Sequence, residues 1–213
     1  MQLTIRLGNN DDLTWAQKVV TEFHYLRQPV HPQARPMVYV VELYGVRLGL
    51  CVVGIPHATL NKRWWGYECQ PTQWQVADFS RLWLSPEVQA GGALCQPGIV
   101  PGYTDRKGIF RPTTATWMIG EVLARVQNDR VAMWPPVYLD QPYHIELVIA
   151  YHDPAYHKGT IYRLSGAEPM YVDKDGRACP GSTGKFGWCW RLPKPEWGWQ
   201  DIEILRPRTM RLF

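Results

Sequence analysis

The 213-residue sequence contains none of the short motifs that identify the most common nucleotide-dependent and hydrolytic enzymes. It has no GxGxxG turn for a dinucleotide, no GxxxxGK-S/T loop for a nucleoside triphosphate and no HExxH pair for zinc. A GxSxG turn, which presents the nucleophilic serine of many hydrolases, is also missing. These absences argue against the corresponding reaction classes.

Cysteine is scarce and irregularly placed. The five cysteines stand at positions 51, 69, 95, 179 and 189, and no two of them form a CxxC pair. An odd count without a secretory leader argues against a disulfide framework, and the missing pairs argue against a structural zinc site. We therefore expect reduced and mostly buried thiols.

Long apolar runs and a strong excess of either charge are absent as well. No run approaches the roughly 18 residues of a membrane span, and the first residues lack the basic and apolar regions of a signal peptide. The 23 basic and 19 acidic residues give a net charge of +4, which permits an anionic partner without requiring one. We expect a cytoplasmic protein that does not bind membranes.

Tryptophan, in contrast, is abundant, with 11 in the chain. Aromatic residues make up 13% of the sequence, which is more than one core normally needs. We therefore expect some rings to line a surface or a groove, where a flat apolar face with a polar edge is useful. Two groups stand out, one around Trp64, Trp65 and Trp74 and one at 188–199.

Hydropathy periods and turn residues predict elements in the order β-α-β-β-β-α-β-α-β-β. The predicted strands are Leu3–Arg6, Met37–Leu43, Val46–Ile55, Gln75–Leu84, His144–Tyr151, Glu168–Val172 and Lys185–Leu192. The predicted helices run from the Asn9–Asp12 cap to near His24, over Ala115–Asn128 and over Ala155–Leu164. Residues 86–112 are rich in glycine and proline and predict a long loop, which in a compact domain is usually functional or mobile.

This order predicts an α+β fold with one central mixed sheet flanked by helices and interrupted by long loop insertions. We expect a single domain over 1–213, with its core at about 1–172 and an aromatic-rich C-terminal extension at about 173–213.

The order of elements resembles the GNAT acyltransferase fold, in which the helix after the fourth strand receives the pyrophosphate of an acyl-CoA at its N-terminus. The resemblance implies donor contacts at Leu84, Thr113 and Thr114. The Q/R-x-x-G-x-G/A loop that is usual at this point is replaced by a longer segment, in which only Gln89–Gly92 is similar.

Three local segments, together with this order, resemble the Mom family of phage DNA-modification proteins, which have a GNAT-like fold. The segments are Phe23–Tyr25, Phe79–Leu84 and Tyr151–Arg163, within a resemblance that covers about 10–170. It implies transfer of an acetamido or acyl-type group to the N6 amine of adenine in DNA, which protects the DNA from restriction. It also implies DNA as partner, a phage or prophage origin with action in the host cytoplasm, and a donor that is acyl-CoA or another small molecule.

Asp153 and Tyr162 are the first candidates for catalysis. Transfer to a weakly nucleophilic amine needs a base or orienting acceptor, and an acid for the leaving group. In the alternative interpretation, Asp153 only caps the following helix and Tyr162 packs in the core.

Arg81 and His24 are the other catalytic candidates. Arg81 interrupts an apolar strand, and if buried it needs an anion such as a substrate phosphate or Asp153; on an alternating strand it would instead face solvent. His24 would act as a base or substrate contact at the mouth of a cleft, or would only favour the negative end of the helix dipole.

A metal site is a further hypothesis for the segment after the fifth strand. His152, Asp153 and His157 lie within six residues and form a ligand set that iron accepts. The alternative is that the two histidines are polar loop residues.

The predicted contacts to substrate or DNA combine aromatic rings with basic side chains. They are Tyr25, Trp64, Trp65, Arg106, Lys107, Arg111, His157 and Arg163. Reaction on adenine in a duplex would require the base to be flipped out. Packing in the core or in an interface, such as that of a homodimer, explains some of the rings equally well.

The main hypothesis is therefore a DNA-modifying transferase. Two alternatives stay open: an ordinary GNAT N-acetyltransferase that uses acetyl-CoA on a small amine or a protein, and a non-enzymatic nucleic-acid-binding protein on a GNAT scaffold.

Overall fold

The computed structural model describes residues 2–31, 34–56, 75–133 and 144–193. The strands in these ranges are β1 (Thr4–Leu7), β2 (Met37–Leu43), β3 (Val46–Gly54), β4 (Val76–Leu84), β5 (Gly102–Thr104), β6 (Phe110–Pro112), β7 (Leu147–His152), β8 (Glu168–Pro169) and β9 (Phe186–Arg191). The helices are α1 (Asn10–Phe23), α2 (Thr114–Met133) and α3 (Thr160–Leu164). None of these helices has both the length and the apolar composition for crossing a membrane.

Seven strands form one mixed sheet in the order β1-β2-β3-β4-β7-β9-β8. Neighbouring strands are antiparallel except β4 and β7, which run parallel at the centre. A parallel pair needs a crossover connection, and α2 lies in the segment that joins β4 to β7. β5 and β6 form a separate two-stranded sheet in the same segment.

Both faces of the sheet are packed. The cluster on the α2 side includes Tyr39, Phe79 and Ile119, and the cluster on the α1 side includes Val20 and Leu50. Because both faces are buried, the inner strands are nearly continuous apolar runs instead of alternating patterns. The predicted α+β fold with a central mixed sheet is therefore confirmed.

The start of α1 is fixed by a capping box. The Asn9 side chain accepts hydrogen bonds from the backbone N–H groups of Asp11 and Asp12, and the Asp12 carboxylate accepts one from the Asn9 N–H. Asp12 is buried and forms ion pairs with Arg6 at 2.6 Å and Arg47 at 2.9 Å. These contacts join α1 to β1 and β3 and confirm the predicted cap.

Several predicted boundaries differ from the structure. Residues 86–112 are not one loop, since they contain a 3₁₀ turn at Pro86–Val88 and the β5–β6 hairpin, whose strands are too short to give a periodic pattern. α2 continues to Met133, beyond the predicted end at 128. α3 is shorter than predicted because the chain first forms a turn closed by backbone bonds to the Asp153 carbonyl.

The tryptophans of β9 are part of the core. Trp188 and Trp190 are 3% and 5% exposed, so the expectation that the C-terminal group lines a groove is wrong for these two residues. Each is buried because its indole N–H has a partner inside, at His152 and at the Ser165 carbonyl respectively.

Candidate functional site

The centre of the sheet has a gap between its two parallel strands. β4 and β7 pair from Val76 and Leu147 up to Phe79 and Ala150. The pairing stops there, although β4 continues to Leu84 and β7 to His152. The edges of 80–84 and 151–152 that no longer pair with each other define a notch, and strand edges of this kind can bind an extended ligand. The Ser80 and Leu84 carbonyls are not available for this, because they accept from Arg81 and Gln89.

A β-bulge at Ser80 determines which side chains of β4 face this notch. Val52 pairs with Arg81 and Val53 pairs with Phe79, so Ser80 is an extra residue on β4. Phe79 and Leu82 consequently both contact the α2-side core, although they are three residues apart. Asp78 and Arg81 therefore lie on the opposite face, towards α1.

Arg81 attaches the segment after α1 to this face. Its Nε and Nη2 donate to the Gln28 carbonyl at 3.3 and 3.2 Å, and Nη1 donates to the Ser80 carbonyl at 2.6 Å. No carboxylate in the described ranges forms an ion pair with Arg81, so Asp153 is not its partner. Burial lowers the pKa of Arg81, and the nearby Asp78 opposes that effect.

Asp78 is a candidate site residue that the sequence did not indicate. It is partly buried, and within the described part of the chain no hydrogen-bond donor contacts its carboxylate. Burial raises the pKa of Asp78 to about 7, against the opposing effect of Arg81. The available signal was a single acid within the apolar run Val76–Phe79, which also fits ordinary strand alternation.

His24 lies beside Arg81 as a buried, neutral imidazole. Its Nδ1 accepts a hydrogen bond from the Leu26 N–H at 3.2 Å. Burial lowers the pKa of His24 to about 4, with further lowering by Arg81 and His157. A favourable interaction with the helix dipole would require the charged form, so that explanation of His24 does not apply at neutral pH.

Tyr25 forms an aromatic stack with residues of the segment after β7. Its ring lies 4.5 Å from that of His24 and 4.9 Å from that of Tyr156, while His157 approaches edge-on at 5.0 Å. Tyr156 is 62% exposed, so the outer end of the stack is open to solvent. The stack brings the end of α1 and the β7–α3 turn together.

Asp153 begins this turn. Its Oδ1 accepts from the Ala155 N–H at 2.9 Å, and its carbonyl accepts from the N–H groups of Tyr156 and His157. The side chain therefore has the capping role of the alternative interpretation, although it caps a turn and not a helix. Asp153 still affects the stack electrostatically. Burial is the main cause of the raised pKa of Tyr25, and the charge of Asp153 raises it further.

Tyr162 approaches the notch from α3. Its ring stacks on His152 at 5.8 Å and on Trp188 at 6.1 Å. Burial raises the pKa of Tyr162, and the electrostatic effects of Tyr25 and Asp78 add to it. The phenol therefore stays protonated near neutral pH, within electrostatic range of Asp78.

The hypothesised metal ligands do not form a metal site. In the described ranges no three His, Cys, Asp or Glu side chains are grouped so as to hold an ion. His152 is buried and its Nδ1 accepts the Trp188 N–H at 2.8 Å, while His157 contacts Tyr25. The two histidines therefore contact aromatic residues, His152 through a hydrogen bond to Trp188 and His157 through the edge of its ring against Tyr25.

The residues expected to contact the acyl donor lie at the C-terminal end of β4 and at the start of α2. Leu84 is buried, and its carbonyl accepts from the Gln89 side chain at 2.6 Å. The Thr113 carbonyl accepts the Trp117 N–H at the start of α2, and the Thr114 hydroxyl donates to the Val88 carbonyl at 3.3 Å. The Thr114 hydroxyl therefore holds α2 against the 3₁₀ turn and does not cap the helix.

The basic candidates lie on exposed surfaces. Arg106 and Lys107 are in the β5–β6 turn, where Arg111 pairs with Asp105 at 2.9 Å. Arg163 is exposed on α3. The candidates Trp64 and Trp65, together with Trp74, Trp197 and Trp199, lie outside the described residues.

Comparison with known proteins identifies structural neighbours only. No protein-family model and no curated protein sequence matches the chain. A structure of the aminoglycoside acetyltransferase AAC(6')-Ib with paromomycin and acetyl-CoA matches with a TM-score of 0.51 and 15% identity, over 98% of this chain and 100% of that one. A second structure, with coenzyme A and kanamycin, gives a TM-score of 0.51 and 15% identity over 89% and 94%.

The ribosomal-protein-S18-alanine N-acetyltransferase of Escherichia coli matches with a TM-score of 0.46 and 11% identity, over 92% of this chain and 96% of that one. At these identities the comparison with AAC(6')-Ib bears on the fold alone. The match to AAC(6')-Ib, together with the central parallel pair and its notch, shows that this chain has the GNAT-like fold.

Proposed function

We propose that the protein is an N-acyltransferase that moves an acyl group from an acyl-CoA-type thioester to an amine held in the notch between β4 and β7. The observation that carries the proposal is the position of Asp78, a carboxyl group with a raised pKa beside the point where the two strands separate. The free strand edges suit a donor whose arm contains amide groups, and the α2 N-terminus at Thr113 and Thr114 suits its phosphates.

The side chains around the notch can supply both proton transfers of the reaction. The amine nitrogen forms a bond to the thioester carbonyl carbon and the carbon–sulfur bond breaks. Asp78 takes the proton that the amine loses, because a carboxylate with a pKa near 7 is well matched to that task. Tyr162, which stays protonated, donates a proton to the departing sulfur.

The test is release of free CoA from acetyl-CoA in the presence of kanamycin, a peptide with an N-terminal alanine or an adenine-containing oligonucleotide. We expect Asp78→Asn to lower kcat/KM at least about 100-fold for the amine that reacts. Asp11→Asn is the matched control, because Asp11 is an exposed acid at the start of α1. Equal activity of the Asp78→Asn variant and the wild type would remove the assignment.

Adenine in DNA is the second candidate acceptor, and the exposed end of the Tyr25–Tyr156 stack is the observation that favours it. A flat heteroaromatic amine adds to such a stack without requiring a charged partner. An extruded adenine has this shape. On this proposal Arg81 and Asp153 orient the base. The phosphates are contacted by exposed basic side chains, namely Arg106, Lys107, Arg111 and Arg163. Trp64 and Trp65 are further aromatic contacts.

Nucleoside mass spectrometry of DNA from cells that express the protein tests this acceptor. We expect a deoxyadenosine adduct that disappears in the Asp153→Ala and Tyr162→Phe variants. An unchanged deoxyadenosine peak, with CoA release on a small amine, would leave the general acyltransferase proposal and exclude DNA. Salt-dependent DNA binding that persists in both variants, with no adduct formed by the wild type either, would instead indicate a non-enzymatic binding protein.

A further inference from the structure

His152 lies between two parts of the proposed site, the turn that begins at Asp153 and the ring of Tyr162 on α3. It is the last residue of β7, two residues beyond the last pair with β4, and it is 3% exposed. Its ring stacks on Phe186 at 5.2 Å and on Tyr162 at 5.8 Å. The residue that follows it is Asp153, the first residue of the turn.

The hydrogen bond to Trp188 defines the protonation state of this imidazole. The indole Nε1–H donates to His152 Nδ1 at 2.8 Å. An indole nitrogen can only donate, so Nδ1 must be unprotonated and the single ring proton of His152 sits on Nε2. An imidazolium could not accept this bond.

The same ring fixes the point at which the turn returns to the sheet. Gly159 has a φ of +67°, and a Cβ there would lie 2.5 Å from His152 Cε1 and 3.1 Å from Trp188 Cζ2. α3 starts at the next residue, and Tyr162 stacks on His152 from it. The segment 153–159, which carries Asp153, Tyr156 and His157, is therefore held at both ends by His152 and Trp188.

We propose that His152 is a positioning residue, which holds the segment 153–159 and Tyr162 in place beside the notch. It does so only as a neutral imidazole bonded to Trp188. The proposal deepens the proposed function, on which it rests for the roles of Asp153 and Tyr162. His152 itself is too deeply buried to touch a substrate.

The charges around His152 indicate when the bond to Trp188 is present. Burial has the largest effect and lowers the pKa of His152. His157 and Arg163 lower it further, and Asp153 opposes them. The packed neighbours Phe186 and Tyr162 are uncharged near neutral pH. The bond is therefore present at neutral pH and is lost in acid, at a lower pH than an unperturbed histidine would need.

Two tryptophans of β9 provide a matched pair of variants. Trp188→Phe removes the N–H donor to His152 and keeps an aromatic ring. Trp190→Phe is the control, because Trp190 is equally buried on the same strand and donates to the Ser165 carbonyl at 3.0 Å instead. His152→Asn keeps an acceptor close to the position of Nδ1 and cannot be protonated.

The first measurement is amide hydrogen exchange at Tyr156 and His157, whose N–H groups bond to the Asp153 carbonyl. We expect exchange about tenfold faster in Trp188→Phe and unchanged in Trp190→Phe, because only the former loses the bond that holds the turn. In the wild type, exchange corrected for its intrinsic rate should accelerate as the pH falls from 7 into the acidic range where His152 is protonated, and in His152→Asn this acceleration should be absent. Equal exchange in both tryptophan variants, or an unaltered acid response in His152→Asn, would overturn the proposal.

The second measurement separates this proposal from the proposed function. In Trp188→Phe, kcat/KM for the acceptor should fall about tenfold while KM for the donor stays constant. A wild-type protein that acylates no amine would remove the proposed function. The exchange experiment would still decide whether His152 positions the turn.

Discussion

Asp78 and Arg81 lie on the same face of β4, because Ser80 between them forms a bulge. In a regular strand, residues three apart face opposite sides, and Arg81 would enter the core beside Phe79. The bulge instead places a cation and a carboxyl group together beneath the open end of the β4–β7 pair. Their mutual effect is visible in both pKa values, since each opposes the change that burial causes in the other.

The first prediction concerns the pH dependence of acyl transfer. Asp78 accepts a proton only when it is ionised, and its pKa is raised to about 7. We therefore expect kcat/KM to rise tenfold per pH unit below about pH 7 and to level off above it. The residual kcat/KM of Asp78→Asn should lack this rise with pH. A profile that is flat from pH 5 to pH 8 would contradict the role of Asp78.

The second prediction concerns stability at the same residue. The folded-state pKa of Asp78 is above its unfolded value of 3.8, so the contribution of this group to folding is fully present below pH 3.8 and is lost as the pH rises through about 7. Asp78→Asn has no such loss. Urea unfolding should show the variant gaining about 2 kcal/mol over the wild type between pH 4 and pH 8, after discounting for partial exposure. A constant difference across this range would contradict the raised pKa.

The third prediction concerns Asp12, which joins the α1 cap to β1 and β3. Its carboxylate is buried between Arg6 and Arg47, so its removal takes the carboxylate partner from Arg47 and leaves Arg6 paired with Glu42 alone. We expect Asp12→Ala to lower the free energy of unfolding by about 3 kcal/mol at pH 7. The neighbouring exposed acid provides the control, and Asp11→Ala should change it by less than about 0.5 kcal/mol.

The pH dependence of the Asp12 effect has a defined sign. Ion pairing with Arg6 lowers the pKa of Asp12 to about 2 from 3.8. The stabilisation is therefore present above pH 3.8 and is lost as the pH falls through about 2. Wild type and Asp12→Ala should become closer in stability over that interval, and a difference that stays constant there would contradict the ion pair.

The fourth prediction uses two glycines with similar backbone angles. Gly159 and Gly166 have φ values of +67° and +82°, so alanine is strained at both positions. A Cβ at Gly166 meets nothing within 4 Å, whereas one at Gly159 overlaps His152. We expect Gly166→Ala to cost about 1 kcal/mol and Gly159→Ala about 2 kcal/mol more in thermal or urea unfolding. Equal costs would show that the turn does not pack on His152 as described.

The elements that could be predicted from the sequence depend on local chemistry. The α1 cap follows from Asn9 and Asp12, and the β2–β3 hairpin follows from Tyr44-Gly45, where both residues adopt positive φ. The order of strands and helices then leaves few possible topologies. This explains why the fold was predictable although the chain is only 15% identical to its structural neighbour.

The site was predictable only in part, because its geometry depends on contacts between distant segments. Several candidates do meet in space: His24 and His157 are in ring contact with Tyr25, and Arg81, Asp153 and Tyr162 lie within electrostatic range of it. The role of Asp78 depends on a bulge that leaves no mark in the hydropathy pattern. Tyr156 was missed because its stacking partner, Tyr25, is more than 100 positions away.

The last prediction tests whether the open stack selects the acceptor. Tyr156 offers an exposed ring supported by Tyr25, and a planar base on such a ring gains roughly 1–3 kcal/mol from stacking. If the acceptor is adenine, Tyr156→Ala should raise the Kd for a single-stranded adenine oligonucleotide about tenfold, and Tyr156→Phe should leave it nearly unchanged. Tyr44→Ala, at another exposed tyrosine in the β2–β3 turn, is the control.

Fluorescence anisotropy measures the affinities of the wild type and the three variants, at constant salt because phosphate contacts vary with ionic strength. The same variants should be assayed for CoA release with kanamycin, whose rings are not aromatic and cannot form a π-stack with Tyr156. A loss confined to the oligonucleotide would support the heteroaromatic acceptor. An equal loss with kanamycin would indicate that Tyr156 only supports the turn, and unchanged values for both would remove Tyr156 from the site.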